Sequence, residues 1–315
     1  MPAAPLPTGS SGAATPNGEI RVIPEVDIVL LFRSSYFNLM KEHQNNRTII
    51  LPSGRIIPAL ELGMWYFGED AGAYFKETAL IRRALEIGYR AFDTAEMYGH
   101  GGAEEVLGEA VRDCREEVFL TSKVSPSLSS YEEIIESCDK SLERLQTDHL
   151  DMYLLHWGTY RNSPEEVLEA FSDLKDDGKI LDFGVSHFDL QDFKDWLTLK
   201  EASKTAMNQA YFNPCHRQME KELLPFCQKK KIPLIAYAPQ DVCSVAYQNS
   251  VVCSIAKKHK TTSRQIVLAW LLAKNNVGVL IKALTEEALK DCFDSQFILL
   301  SLEEIDALNA TFPLY

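Results

Sequence analysis

Four polar residues of this 315-residue chain stand just past apolar runs: Asp93 after Tyr89–Phe92, Tyr98 five positions on, Lys123 after Val118–Ser122, and His156 after Asp151–Leu155. Together these residue types make a proton donor. A tyrosine, with a pKa near ~10, seldom exchanges protons usefully at neutral pH unless neighbours shift it. An ammonium at Lys123 favours the phenolate, and a carboxylate at Asp93 keeps that lysine charged and aimed. His156 is then free to orient a carbonyl beside the phenol. Taken singly, each residue has an ordinary use: Asp93 as a strand end and turn cap, Tyr98 as a loop aromatic, Lys123 as a solvated cation, His156 as a satisfied core histidine. Position joins them, because the carboxyl ends of neighbouring parallel strands bring residues about thirty apart in the chain to one mouth.

Strand-like and helix-like stretches alternate about eight times from residue 60 onward, which predicts a closed parallel α/β barrel rather than an open sheet. The strands are expected to begin near Leu60, Tyr89, Val118, Leu150, Ile180, Ala206, Pro233 and Val277. Between them Ala79–Ile87, Glu104–Arg112, Tyr131–Leu145, Pro164–Asp176 and Gln218–Gln228 carry apolar residues at helical spacing. Ser130 with Glu133 forms a capping-box pattern, and Ser163-Pro164 puts proline at a first helical position. Ahead of the barrel, Arg47–Leu51 and Arg55–Ala59 flank a Pro-Ser-Gly turn and read as a β-hairpin. Residues 1–46 form an N-terminal extension, with a Pro/Ala/Ser/Gly-rich tail over 1–19 expected to be disordered and an amphipathic helix over 20–43. Residues 47–315 form the barrel domain.

The formal charge of -13, with no basic run longer than Lys229–Lys231, argues against nucleic acid or an anionic membrane as partner. The seven cysteines are scattered, odd in number and without a CxxC pair, which suits a reducing compartment. The apolar run Ile28–Phe32 is too short to span a bilayer and no basic segment follows Met1, so a cytoplasmic protein is expected. His100, His187 and His216 show no metal-ligand spacing, and Gly99–Gly102 lacks the ending of a phosphate-cradling loop, so no metal is expected.

Asp93-Thr-Ala-Glu-Met-Tyr98-Gly, Ser122-Lys123, Asp151-Met-Tyr-Leu-Leu-His156-Trp and Gly184-Val-Ser186 resemble the aldo-keto reductase superfamily from about Arg47 to Phe312. Thr94–Tyr98, Gly101–Glu104 and Leu154–Trp157 are similar to its bacterial methylglyoxal / 2,5-diketogluconate reductase subgroup. The resemblance implies a (β/α)8 TIM barrel whose bottom the hairpin caps, and NADPH-dependent reduction of small aldehydes or ketones, with NADH as a possible substitute. Tyr98 is then the general acid, tuned by Asp93 and Lys123, with His156 placing the carbonyl. Ser186, His187 and Gln209 would hold the nicotinamide carboxamide, Tyr237 would stack on its ring, Lys282 would meet phosphate, and Trp65 and Trp157 would wall the substrate pocket. The chain departs from the family pattern at His187 (usually Asn), Ala238 (Ser), Met64 (Thr), Ala288 (Arg) and Cys292 (Asn). With Ala288 the guanidinium clamp on the 2'-phosphate is missing, and a weaker NADPH preference is expected. A monomer with a small-molecule carbonyl substrate is expected. The alternative is a cofactor-binding regulatory homologue that has lost turnover.

Overall fold

Strands β5 (Phe119–Val124) and β6 (Leu150–Leu155) are buried at every position, as strands must be when helices cover one face and a packed interior the other. With β3 (Leu60–Gly63), β4 (Ala91–Asp93), β7 (Ile180–Ser186), β8 (Asn208–Tyr211), β9 (Leu234–Tyr237) and β10 (Val277–Ile281) they close a barrel in the order β10-β3-β4-β5-β6-β7-β8-β9. Each pairing is parallel, so all carboxyl ends share one rim. The expected strand starts fall within two residues of the observed ones. This computed structural model describes residues 46–125, 127–128, 130–157, 163–240 and 244–314. The tail expected over 1–19 and the helix expected over 20–43 lie outside the described residues.

Register carries the chemistry-bearing residues to the rim. Gly63 sits opposite Asp93, Asp93 opposite Thr121, Lys123 opposite Leu154, and Ser186 opposite Gln209. Helices Tyr131–Leu145 and Pro164–Asp176 have the predicted bounds, the first closed by the Ser130–Glu133 capping box and the second by Ser163 with Pro164 in its first turn. The stretch expected as one helix over 218–228 divides instead into a short 3-10 turn, Gln218–Glu220, and helix Leu223–Lys230. Glu222, with φ -139°, interrupts the spiral, and apolar periodicity does not register a break of one residue. Trp270 is core: it is buried in helix Ser263–Leu272 and donates from Nε1 to Asn309 Oδ1 at 3.1 Å.

The hairpin forms between β1 (Thr48–Ile50) and β2 (Ile56–Pro58), and its inward residues Ile49 and Ile57 are buried against the start of the barrel strands. Arg55 beyond its turn reaches Asp151 of β6 at 2.5 Å and Asp182 of β7 at 3.1 Å. Arg115 meets Asp151 at 2.9 Å and Lys175 meets Asp182 at 2.8 Å. The hairpin therefore caps the amino-terminal end of the barrel through a closed ion cluster in which each carboxylate oxygen has a partner.

Candidate active site

Asp93 ends β4 and Lys123 lies near the end of β5, both almost fully buried. The Lys123 ammonium donates to Asp93 Oδ1 and, at 2.9 Å, to the Thr94 carbonyl. Gln209 Nε2 donates to the other Asp93 oxygen at 2.6 Å, so the carboxylate is held on both sides. Burial works to lower the Lys123 pKa, but Asp93 and Tyr98 outweigh it and the ammonium stands above its ordinary value. This is the aimed cation the sequence called for.

Tyr98 opens the turn after β4. Its backbone N–H bonds the Ala95 carbonyl at 3.0 Å, and Glu96 pins the same loop to β5 and the following helix by accepting from Ser125 N at 2.7 Å and Ser137 Oγ at 2.5 Å. Glycines let this loop dock. A Cβ on Gly68, at φ +70°, would stand 2.1 Å from the Gly102 carbonyl carbon, and one on Gly99, at φ +56°, would stand 2.7 Å from Gly68. The phenol points at the other two groups: its oxygen is 3.5 Å from His156 Nε2, and Lys123 Nζ is 5.3 Å from its ring centre.

Tyr98 is not poised as a phenolate, contrary to the expectation from sequence. Burial pushes the Tyr98 pKa up, Lys123 pulls it down, and Asp93 pushes it up again, with burial the largest effect and the net shift upward. Lys123 thus limits the rise rather than producing a phenolate. An upward shift suits an acid, since the phenol stays protonated at neutral pH and gives up its proton only to a stronger base such as a developing alkoxide. His156 is pushed the other way: burial, then Lys123 and His187, lower it to about 2. It is therefore a neutral imidazole, able to donate one hydrogen bond but not to act as a cationic acid. Its buried Nδ1 has no hydrogen-bond partner among the described residues.

These four residues line a cavity of about 550 Å³, within the usual range for small-ligand sites. Trp65 and Trp157 stand on its walls. Trp65 is half-exposed and stacks on Tyr66 at 5.3 Å and Tyr98 at 6.3 Å, while Trp157 stacks on His156 at 4.1 Å. Ser186, His187, Gln209 and Tyr237 line a second side, and Lys282 lies further along with its ammonium 3.7 Å from the Tyr66 ring centre. His187, at φ +59°, turns its ring toward Tyr237 and its Nδ1 lies 2.9 Å from the Tyr237 hydroxyl. Burial, with Lys123, lowers His187 to about 4, so it too is neutral.

All eleven site residues expected from the sequence thus fall on one cavity. Tyr66, Tyr211 and Gln240 line it as well and were not foreseen. Tyr66 carried a readable signal, an aromatic next to Trp65, whereas Gln240 is held at the rim by contacts far apart in sequence, accepting from Lys282 N at 3.0 Å and donating to Cys292 Sγ at 3.1 Å. Also unforeseen was Glu61, a fully buried carboxyl on β3.

The residue set fits a nicotinamide dinucleotide: an aromatic face at Tyr237, a hydroxyl and an amide at Ser186 and Gln209, and a cation at Lys282 lie along one extended cavity that also reaches Tyr98. Among the described residues no cluster of His, Cys, Asp and Glu could hold a metal ion, and no helix is long and apolar enough to cross a membrane.

A family model described as the aldo/keto reductase family matches residues 59–242. The chain is 38% identical over 262 residues to methylglyoxal reductase YeaE of Escherichia coli K12, covering 82% of this chain and 92% of that protein. It is 34% identical over 269 residues to glyoxal reductase of Bacillus subtilis, covering 83% and 92%. The solved structure of an aldo-keto reductase from Klebsiella pneumoniae in complex with NADPH superposes with a TM-score of 0.81 at 36% identity, covering 86% of this chain and 96% of that one.

Proposed function

The chain belongs to the aldo/keto reductase family, and from that premise we propose that it reduces small aldehydes and ketones, methylglyoxal-like dicarbonyls among them, with NADPH, using Tyr98 as the general acid. When bound, the reduced nicotinamide supplies hydride to the carbonyl carbon. The chain's own residues do the rest. Ser186 and Gln209 meet the carboxamide, and the oxygen of Gln209 is the end left over, because its nitrogen is committed to Asp93. Tyr237 offers its ring as a stacking face, and Lys282 attracts phosphate as a point charge. His187 stands where it can bond the carboxamide once it releases the Tyr237 hydroxyl. Neutral His156 donates to the carbonyl oxygen and holds it beside the phenol, Trp65 and Trp157 exclude water, and Tyr98 passes its proton to that oxygen. Lys123, fixed by Asp93, stabilises the negative charge then left on the phenol.

The observation that carries this reading is the convergence of the Tyr98 hydroxyl, neutral His156 and the Asp93-clamped Lys123 on one rim of the cavity. The relatives named methylglyoxal and glyoxal reductases support the substrate class, and the NADPH-bound neighbour supports the cofactor. NADH should serve with a modest penalty, since Ala288 offers no guanidinium to a 2'-phosphate and Glu286 and Glu287 precede it. We take the working unit as one chain in the cytoplasm with residues 1–46 as an extension to the barrel. The seven cysteines are odd in number and scattered, as suits a reducing compartment.

The test is steady-state oxidation of NADPH and of NADH by the purified full chain over an aldehyde panel including methylglyoxal. Turnover with kcat/KM higher for NADPH is expected. Tight NADPH binding with no turnover on any aldehyde would favour the regulatory alternative instead.

A further inference from the structure

Glu61 is the second residue of β3 and none of its surface is exposed. Neither carboxyl oxygen has a hydrogen-bond partner among the described residues. Side chains alternate along a barrel strand, and Gly63, two residues on, lines the cavity, so Glu61 points into the barrel interior directly beneath the site. Of its neighbouring strands, β10 carries no titratable side chain, β4 brings Asp93, and across the interior β5 brings Lys123. The other ionisable groups facing the interior are engaged elsewhere: Asp182 in the bottom ion cluster, and His156, Tyr211 and Tyr237 at the mouth. The proton-transfer mechanism proposed above makes no use of this carboxyl, and an unpaired carboxylate in such a place is costly.

We propose that Glu61 is a positioning residue for the proton transfer: buried without a hydrogen-bond partner beneath the Asp93–Lys123 pair, its carboxyl sets the charge balance under the Tyr98 hydroxyl on which carbonyl reduction and the reverse reaction, alcohol oxidation, depend. This rests on the reading of Tyr98 as the proton-transfer group. The electrostatics agree in direction. Burial raises the Glu61 pKa, Asp93 adds to the rise and Lys123 opposes it, to a value of about 8. Below that point the pair Asp93–Lys123 is balanced, one charge of each sign. Above it the interior gains a net negative charge, which ties the Lys123 proton more tightly and makes loss of the Tyr98 proton harder.

Glu61→Gln, which keeps shape without charge, and Glu61→Leu, which removes the polar group, test this in the full chain. The first readout needs no turnover. Folded Glu61 keeps its proton to about 8 while an unfolded glutamate loses it near 4.5, so wild-type stability falls as pH rises between those values, and the variants escape the fall. The expected result is that the melting temperature of each variant, relative to wild type, climbs from pH 5 to pH 8 and then levels off. A flat or declining difference would overturn the proposal. The second readout is the pH profile of alcohol oxidation with NADP+, whose alkaline rise should move to lower pH in Glu61→Gln by roughly one unit. A profile that stays in place would overturn the link to Tyr98 even if the melting trend is seen. Retention of turnover by Tyr98→Phe would instead count against the general-acid reading, and the melting series would still report on Glu61 alone.

Discussion

At the amino ends of the barrel strands, Asp151 and Asp182 meet Arg55, Arg115 and Lys175; at the carboxyl ends, Asp93 meets Lys123 and Gln209. Both clusters bury carboxylates against cations, the bottom one on β6 and β7 and the top one on β4, β5 and β8, which flank them. They differ in what is left over. At the bottom each carboxylate oxygen has a partner, and the result is closure: the hairpin is tied to the barrel. At the top, His156 Nδ1, the Thr94 and Thr121 hydroxyls and both oxygens of Glu61 lack hydrogen-bond partners among the described residues, and the Tyr98 hydroxyl stands at a long 3.5 Å from His156 Nε2. Incomplete satisfaction is expensive in a core and useful at a site, because the unspent capacity is what a substrate or cofactor engages.

The comparison breaks if top and bottom substitutions have the same consequences. Lys123→Met should have the largest effect, lowering kcat by ~10²–10⁴ as the phenol loses its cation, with a loss of stability beside it because Asp93 is left unpaired; stopped-flow reduction and urea unfolding read the two. Arg55→Ala should reverse that balance. It strips a partner from two carboxylates at once and, with 32% of its side chain still exposed, should cost about 2 kcal/mol in urea unfolding while kcat per folded molecule stays as in wild type. A fall in kcat would mean the two ends are coupled. Gly68→Ala sharpens the picture from the side of geometry: a methyl at positive φ against the Gly102 backbone should cost more than ~1 kcal/mol and also reduce kcat, since the loop it displaces carries Tyr98. The smallest effect is a trend in acid. His156 refuses a proton down to about 2 when folded, whereas an unfolded histidine accepts one below its ordinary pKa near ~6.5, so wild-type stability declines as pH falls past that point. His156→Gln should gain on wild type by less than about 1 kcal/mol between pH 7 and pH 6, measured by denaturant titration at each pH.

Most of the top cluster was legible in sequence because its charged residues lie at or next to strand ends, and a buried parallel strand announces itself as an apolar run ended by a polar residue. Asp93, Lys123 and His156 could be placed that way from one chain. The bottom cluster was not foreseen. Asp151 and Asp182 lie inside runs read as strand, and their partners Arg55, Arg115 and Lys175 come from a turn, a 3-10 segment and a helix whose meeting depends on closure of the whole barrel. Glu61 escaped for a related reason, since Leu60-Glu-Leu-Gly63 reads as ordinary alternation with Glu61 on a solvated face, and only the closed barrel turns that face inward. The sign of the Tyr98 shift was also beyond reach, because it depends on how far burial outweighs Lys123, a balance of depths rather than of residue types.

The account turns on the Tyr98 hydroxyl delivering a proton, and single-turnover reduction of methylglyoxal by Tyr98→Phe measures that most directly. Hydride transfer should slow at least about a thousand-fold while NADPH binding, read by fluorescence quenching, and the melting temperature stay as in wild type. Transfer at the wild-type rate by that variant would contradict it.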